Sequence, residues 1–243
     1  MNTLLLSAGL GTRLRPLTNE IPKALIAVAD IPIIKRNLDK LASYNVKRVV
    51  INVHYLADKI MYYLSNLHYD NMEIIISDER SQLLDTGGAL LKAKPLFLKN
   101  EPILIHNVDI LSGTDFDKLM KYKEKNKIDA LLVVQNRNNL RKLIFDKNDN
   151  LSGWINYDSL DKQLTNVNEK FTKEYSFSGI SLISYDLLDD IPFDGVFSII
   201  TLFLYWAKRY KVSYYEDNDI YWFDIGTFDT LQQANEYFKK IDR

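Results

Sequence analysis

The chain contains no cysteine in 243 residues. That rules out disulfides and thiolate-bound metal and makes a cytoplasmic protein the simplest expectation. Histidine is nearly as scarce. The three, His54, His68 and His106, fall at no metal-ligand spacing, and they suggest no Ser-His-Asp arrangement. Charge of either sign is not in excess: 31 Lys and Arg against 32 Asp and Glu leave a net −1. A nucleic-acid binder would carry a basic surplus or a basic face. No apolar run is long enough to span a bilayer. The short apolar stretch after Asn2 lacks a basic lead-in and is followed by basic residues, so it does not read as a secretory signal. What is present is 47% hydrophobic residues, enough for a full core in one domain, and 15 tyrosines, most of them expected to be half-buried packing residues.

Residues 6–25 carry the most information. An apolar run, Thr3 to Leu6, ends in Ser7, Ala8 and Gly9; Gly11, Thr12 and Arg13 follow, and Lys23 comes directly after Pro22. Small residues let backbone N–H groups approach an anion. Arg13 offers a planar fork of donors for phosphate oxygens, and Lys23 a compact charge. Ala8, Gly9, Gly11, Thr12, Arg13 and Lys23 are therefore expected to handle phosphate. A dinucleotide-binding turn does not fit, because Leu14 stands at the third glycine position. A Walker loop does not fit either, because its lysine would directly follow the last glycine.

Strands and helices alternate through the first half. Expected strands are Thr3–Leu6, Arg48–Val53, Glu73–Ile76, Ile103–His106 and Ala130–Val134, with helices at Ile34–Tyr44, Ala57–Leu64, Gly87–Lys94 and Phe116–Lys125. That order implies right-handed βαβ units and a mostly parallel sheet flanked by helices. The second half is more β-rich. A hairpin is expected from Leu143–Phe145 and Leu151–Ile155, then a polar surface excursion or lid over Asp158–Lys173. Strands at Ser176–Ile183, Val212–Tyr215 and Tyr221–Phe223 and helices at Ser198–Arg209 and Thr227–Lys239 complete the chain.

Asp109 follows an apolar strand, where ligands bind in an open parallel sheet. Beside a phosphate loop it suggests a Mg²⁺ ligand, since Mg²⁺ takes one or two protein carboxylates and fills its shell with phosphate and water. Asp224, placed likewise after Tyr221–Phe223, is the second carboxylate. Spacing alone does not bring the two together. Asp85-Thr86-Gly87-Gly88 reads either as a helix cap or as a nucleobase site. Trp154 fits a lid or a core position, and His106 a site wall or packing.

The pattern Gly9-x-Gly11-Thr12-Arg13-Leu14-x-Pro16-Leu17-Thr18, then Pro22-Lys23, resembles the signature of the sugar-1-phosphate nucleotidylyltransferases. The resemblance continues through residues 83–89, Asn107-Val108-Asp109, residues 177–180 and residues 222–226. It is strongest to the short members, the N-acetylmuramate-1-phosphate uridylyltransferases and heptose-1-phosphate guanylyltransferases. It implies a Rossmann-like, GT-A-like α/β fold in one domain over residues 1–243. A nucleotide-binding half would cover about 1–110 and a sugar-binding half about 111–243. It implies that Asp109 and Asp224 share Mg²⁺, that Arg13 and Lys23 are catalytic, that Asp85, Thr86 and Gly87 receive the base, and that Asn107 and Gly179 contact the sugar. A Glu169-Lys170 pair has a weaker counterpart in larger relatives. The substrates implied are an NTP and a sugar 1-phosphate, with no nucleic-acid or membrane partner and the oligomeric state open between monomer and small homo-oligomer. The first-choice pair is UTP with N-acetylmuramate 1-phosphate. GTP with a mannose- or heptose-type phosphate, a phosphocholine-type acceptor, and a non-catalytic nucleotide-sugar sensor are the alternatives. One departure stands out: the family pattern Asn-Gly-Asp is here Asn107-Val108-Asp109. Valine does not adopt positive φ cheaply, so either the backbone needs none or the loop differs.

Overall fold

The computed structural model describes residues 1–165, 173–218 and 221–242. Strands are β1 (Asn2–Leu6), β2 (Ala27–Val28), β3 (Ile31–Pro32), β4 (Arg48–Val53), β5 (Glu73–Asp78), β6 (Ile103–Asn107), β7 (Ile110–Ser112) and β8 (Ala130–Gln135), continuing with β9 (Arg141–Phe145), β10 (Leu151–Asn156), β11 (Lys162–Leu164), β12 (Lys173–Ile183), β13 (Val212–Glu216) and β14 (Trp222–Asp224). Helices are α1 (Ile33–Ser43), α2 (Ala57–Ser65), α3 (Asp85–Ala93), α4 (Phe116–Lys125), α5 (Ile199–Trp206) and α6 (Phe228–Ile241).

The main sheet runs β11-β10-β9-β12-β6-β1-β4-β5, with β8 on β12 and β13 on β8. It is mixed. β6, β1, β4 and β5 are mutually parallel, as βαβ connections require. The long β12 lies antiparallel to β6, β8 and β9 and opens the β-rich half. Successive residues of β1 face opposite sides, so Leu4 joins the core under α3 and α5 while Leu5 joins the core under α1, α2 and α4. Burial on both faces is why β8 reads as an apolar run from Ala130 to Val134 and β4 as one broken only by Asn52 after Arg48. A third, smaller core joins Leu14, Leu111, Ile225 and Phe238. It fastens the end of β14 and α6 beside the phosphate loop. Fully burying a leucine such as Leu14 stabilises by about 1.5–3 kcal/mol.

Within the stretch read as a surface excursion, Lys162–Leu164 forms β11 against β10; residues 166–172, which include Glu169 and Lys170, lie outside those described. Trp154 is partly buried and packs on the main core, as a core residue of β10. The closing helix begins one residue later than expected, because Thr227 is its N-cap and forms a capping box with Thr230.

Candidate active site

A cavity of about 590 Å³ opens at the carboxyl ends of β1 and β6. Ala8, Gly9, Gly11, Thr12, Arg13, Lys23, Asp85, Thr86, Asn107 and Asp109 all line it. The loop after β1 is held from below. Gly11 sits at φ +63°, and a Cβ there would come 2.9 Å from Thr18 Cγ2. The Thr18 hydroxyl donates to the Gly11 carbonyl at 2.8 Å. Leu14, completely buried, anchors the turn that follows.

A buried pair that no sequence motif flagged supports the same loop. The Ser7 N–H donates to Asn52 Oδ1 at 2.7 Å, and Asn52 Nδ2 donates to Glu79 Oε1 at 3.0 Å. The other Glu79 oxygen accepts from the Leu84 N–H at 3.4 Å. Glu79 has no exposed surface, and burial pushes its carboxyl above the usual range against those two hydrogen bonds. The chain of contacts ties the phosphate loop to the segment carrying Asp85 and Thr86.

The two aspartates meet. The Ile225 N–H donates to the Asp109 carbonyl at 2.9 Å, which fixes the end of β14 beside the end of β6. Lys23, buried, donates from Nζ to Asp109 Oδ2. The Asp224 carboxyl is raised by burial and then by the charge of Asp109, while Lys23, Arg13 and Arg137 act in the opposite direction. Its Oδ1 is buried with no hydrogen-bond partner among the described residues. A Cβ on Gly226 would fall 2.5 Å from Arg13 Nη2 and 2.9 Å from Asp224 Oδ1. Glycine leaves room there for a guanidinium and a carboxylate to converge over the backbone. An orphaned buried carboxylate oxygen beside a second carboxylate fits a hard divalent cation. Among the described residues no third His, Cys, Asp or Glu joins them, so phosphate and water would complete such a shell.

Val108 does not adopt a positive φ. It is 4% exposed and packs in the core with Leu5 and Ile110, while its carbonyl accepts from Asn37 Nδ2 at 2.7 Å. The departure from Asn-Gly-Asp is thus a core contact, with the aspartate still at the strand end. His106 is a packed residue. It lies against the Phe116 ring, donates from Nδ1 to the Asn107 carbonyl at 2.8 Å, and burial drives its pKa down to about 3.

The glycines at the start of α3 are engaged with the protein's own backbone. The Gly87 and Gly88 N–H groups both donate to the Phe197 carbonyl, at 2.9 and 3.2 Å. A Cβ on Gly87 would strike the Phe197 ring at 2.4 Å, and one on Gly88 the Gly195 carbonyl at 2.2 Å. Both allow α3 to pack closely on residues 195–197, of which Val196 lines the cavity. Thr86 Oγ1 accepts from the Ile199 N–H at 2.9 Å, and Asp85, at φ +58°, accepts from the Thr86 N–H at 2.6 Å. β12 bulges between Phe177 and Ser181. Gly179 lies in that bulge at φ +84°, and a Cβ there would come 3.0 Å from Asn107 Nδ2. Arg137, also unforeseen, lies 3.6 Å above the Trp222 ring.

Residues 2–142 match the family model described as nucleotidyl transferase. The chain belongs to the nucleotidyl transferase family. It is 38% identical over 137 residues to an N-acetylmuramate alpha-1-phosphate uridylyltransferase of Caulobacter vibrioides, covering 54% of this chain and 56% of that one. A probable mannose-1-phosphate guanylyltransferase of Oryza sativa is 31% identical over 137 residues, covering 55% and 38%. The match therefore spans about half or less of these curated relatives. Among solved structures, HddC from Yersinia pseudotuberculosis superposes with a TM-score of 0.77 at 22% identity, covering 98% of this chain and 99% of that one. UDP-glucose pyrophosphorylase from Acinetobacter baumanii superposes at 0.80 with 15% identity, covering 98% and 92%. This chain thus shares its fold with those two proteins over nearly its whole length. No helix among its described residues is long and apolar enough to cross a membrane.

Proposed function

We propose that the protein transfers a nucleotidyl group from an NTP to a sugar 1-phosphate, yielding an NDP-sugar and pyrophosphate, with Mg²⁺ as cofactor. The observation that carries this reading is the convergence of Arg13, Lys23, Asp109 and Asp224 around Gly226, at the mouth of a glycine-bearing loop. Residues 1–110 would serve mainly the nucleotide and residues 111–243 the sugar, in one domain.

The acceptor's phosphate oxygen attacks the α-phosphorus, and the bond to the β-phosphate oxygen breaks, its electron pair leaving with pyrophosphate. A phosphomonoester has a second pKa near ~6, so the nucleophile is already largely dianionic at neutral pH. No general base is needed, in keeping with a His106 that is buried and neutral. The work left to the protein is alignment and charge neutralisation. The loop Ala8–Thr12 would cradle the triphosphate, with Arg13 on the departing pyrophosphate. Lys23 would turn from Asp109 toward the α-phosphate and the incoming phosphate and reduce their repulsion. Asp109 and Asp224 would hold Mg²⁺, whose chemistry when bound is Lewis-acid stabilisation of the phosphoryl oxygens. Asp85 and Thr86 would flank the base, and Asn107 and the space left by Gly179 would receive the sugar.

UTP with N-acetylmuramate 1-phosphate is the substrate pair we favour. Its support is the 38% identity to a uridylyltransferase of that acceptor, against 31% to the guanylyltransferase. The expected result is a kcat/KM for UTP at least about tenfold above that for GTP, which is ~1.4 kcal/mol of transition-state discrimination. A tenfold preference for GTP would overturn the uridylyl assignment and leave the reaction class standing.

A further inference from the structure

Arg137 has a rigid seat and no anion. Its N–H donates to the Gln135 carbonyl at 3.1 Å, and its own carbonyl accepts from Lys142 Nζ at 2.5 Å and from Ser176 Oγ at 3.2 Å. These bonds fix the turn leaving β8. The guanidinium carbon lies over the Trp222 ring, 3.6 Å from its centre, and Nη2 donates to the Phe177 carbonyl at 2.8 Å. Trp222 is itself held, its Nε1 donating to the Ser178 carbonyl at 3.0 Å. Nε of Arg137 is buried without a partner, and no carboxylate among the described residues forms an ion pair with it. Burial weakens its hold on the proton, opposed only by the charge of Asp224. Trp222 and Asp224 are two apart in β14, so their side chains share a face. The guanidinium therefore stands on the Asp224 side of the strand, next to the bulge of β12 that carries Gly179 and adjoins Asn107.

A desolvated guanidinium held in one orientation, with donors left over, is a ready receptor for a planar anion. The phosphate-handling cations of the proposed reaction, Arg13 and Lys23, line the cavity together with Asn107, which adjoins Gly179 in the bulge next to Arg137. We propose that Arg137 is a specificity-determining residue that binds a carboxylate carried on the acceptor sugar, so that the preferred acceptor is an acidic sugar 1-phosphate. This rests on the reading of the site as a sugar-1-phosphate nucleotidylyltransferase and adds the acid to it. A lactyl ether, as on N-acetylmuramate, is one group of that chemistry.

The test compares two product ligands that differ by that acid. Binding of UDP-N-acetylmuramate and of UDP-N-acetylglucosamine, which lacks the lactyl group, is measured by calorimetry for the wild type, Arg137→Lys and Arg137→Met. Thermal unfolding and UTP binding check that each variant is folded. The wild type is expected to bind the acidic product more tightly, and Arg137→Met to lose about 10- to 100-fold in the ratio of the two affinities, the range of a charge-assisted hydrogen bond. Arg137→Lys should fall between. An unchanged ratio, or a wild type that does not distinguish the two, overturns the proposal. The same ratio is measured with the two sugar 1-phosphates free of any base. A loss confined to the acidic sugar there supports Arg137 even if the protein refuses uridine nucleotides, so failure of the uridylyl reading is separable from failure of this one.

Discussion

Lys23→Ala should lower kcat by about 100- to 1,000-fold while changing NTP affinity by far less, by analogy with deletion of a donor aimed at developing charge. Lys23 is buried and paired with Asp109 in the free protein. Its charge is therefore held beside Asp109, within a turn of where the proposed reaction would seat the α-phosphate. An interaction made mainly as charge builds at that phosphate lowers kcat when removed, whereas a simple binding contact raises KM. Steady-state kinetics of the folded variant decide between them. A kcat within about threefold of wild type, which is under ~1 kcal/mol of barrier, would remove Lys23 from the chemistry.

Asp109→Asn and Asp224→Asn should each abolish metal-dependent turnover. Metal charge stabilisation amounts to several kcal/mol, and at ~1.4 kcal/mol per decade the loss is at least about 100-fold for each. The two carboxylates are linked through the Asp109 carbonyl and Ile225, and the charge of Asp109 acts on Asp224. The double variant should therefore be little worse than either single one, as expected of groups that act on one ion. Fully additive losses would count against a shared site. Stability separates this from misfolding. Asp224 is a half-buried carboxylate next to another, and both effects raise its pKa, so ionising it in the folded state is less favourable than in water. In metal-free protein at neutral pH, Asp224→Asn should melt no lower than wild type, because asparagine keeps the shape without the repulsion.

Much of this site is legible in the chain itself, for a physical reason. A loop that wraps an anion needs small residues and left-handed backbone at particular positions, and Gly9 and Gly11 announce it locally. The strand-end aspartates are visible because each follows a short apolar run, although their meeting is not written in the spacing. Residues recruited from far along the chain leave no such mark. Asn52 and Glu79 look like ordinary polar ends of strands, and their link to Ser7 and Leu84 exists only once β1, β4 and β5 lie side by side. Arg137 sits in a polar stretch with nothing to distinguish it until β8, β12 and β14 bring it over Trp222. Gly87 and Gly88 mark a close approach, but the sequence does not say that the partner is the Phe197 backbone rather than a base. The ladders β2–β3 and β7–β14 pair only two or three residues each. That is too short for a period of two to register.

Phosphorus NMR of the protein with UTP, N-acetylmuramate 1-phosphate and Mg²⁺ tests the proposed reaction most directly, because it identifies which phosphorus bond breaks. Attack at the α-phosphorus predicts pyrophosphate and a new diphosphate diester appearing together in equal amounts, and neither without the sugar phosphate. Release of inorganic phosphate, or no pyrophosphate with any common NTP across a panel of sugar 1-phosphates, would contradict it.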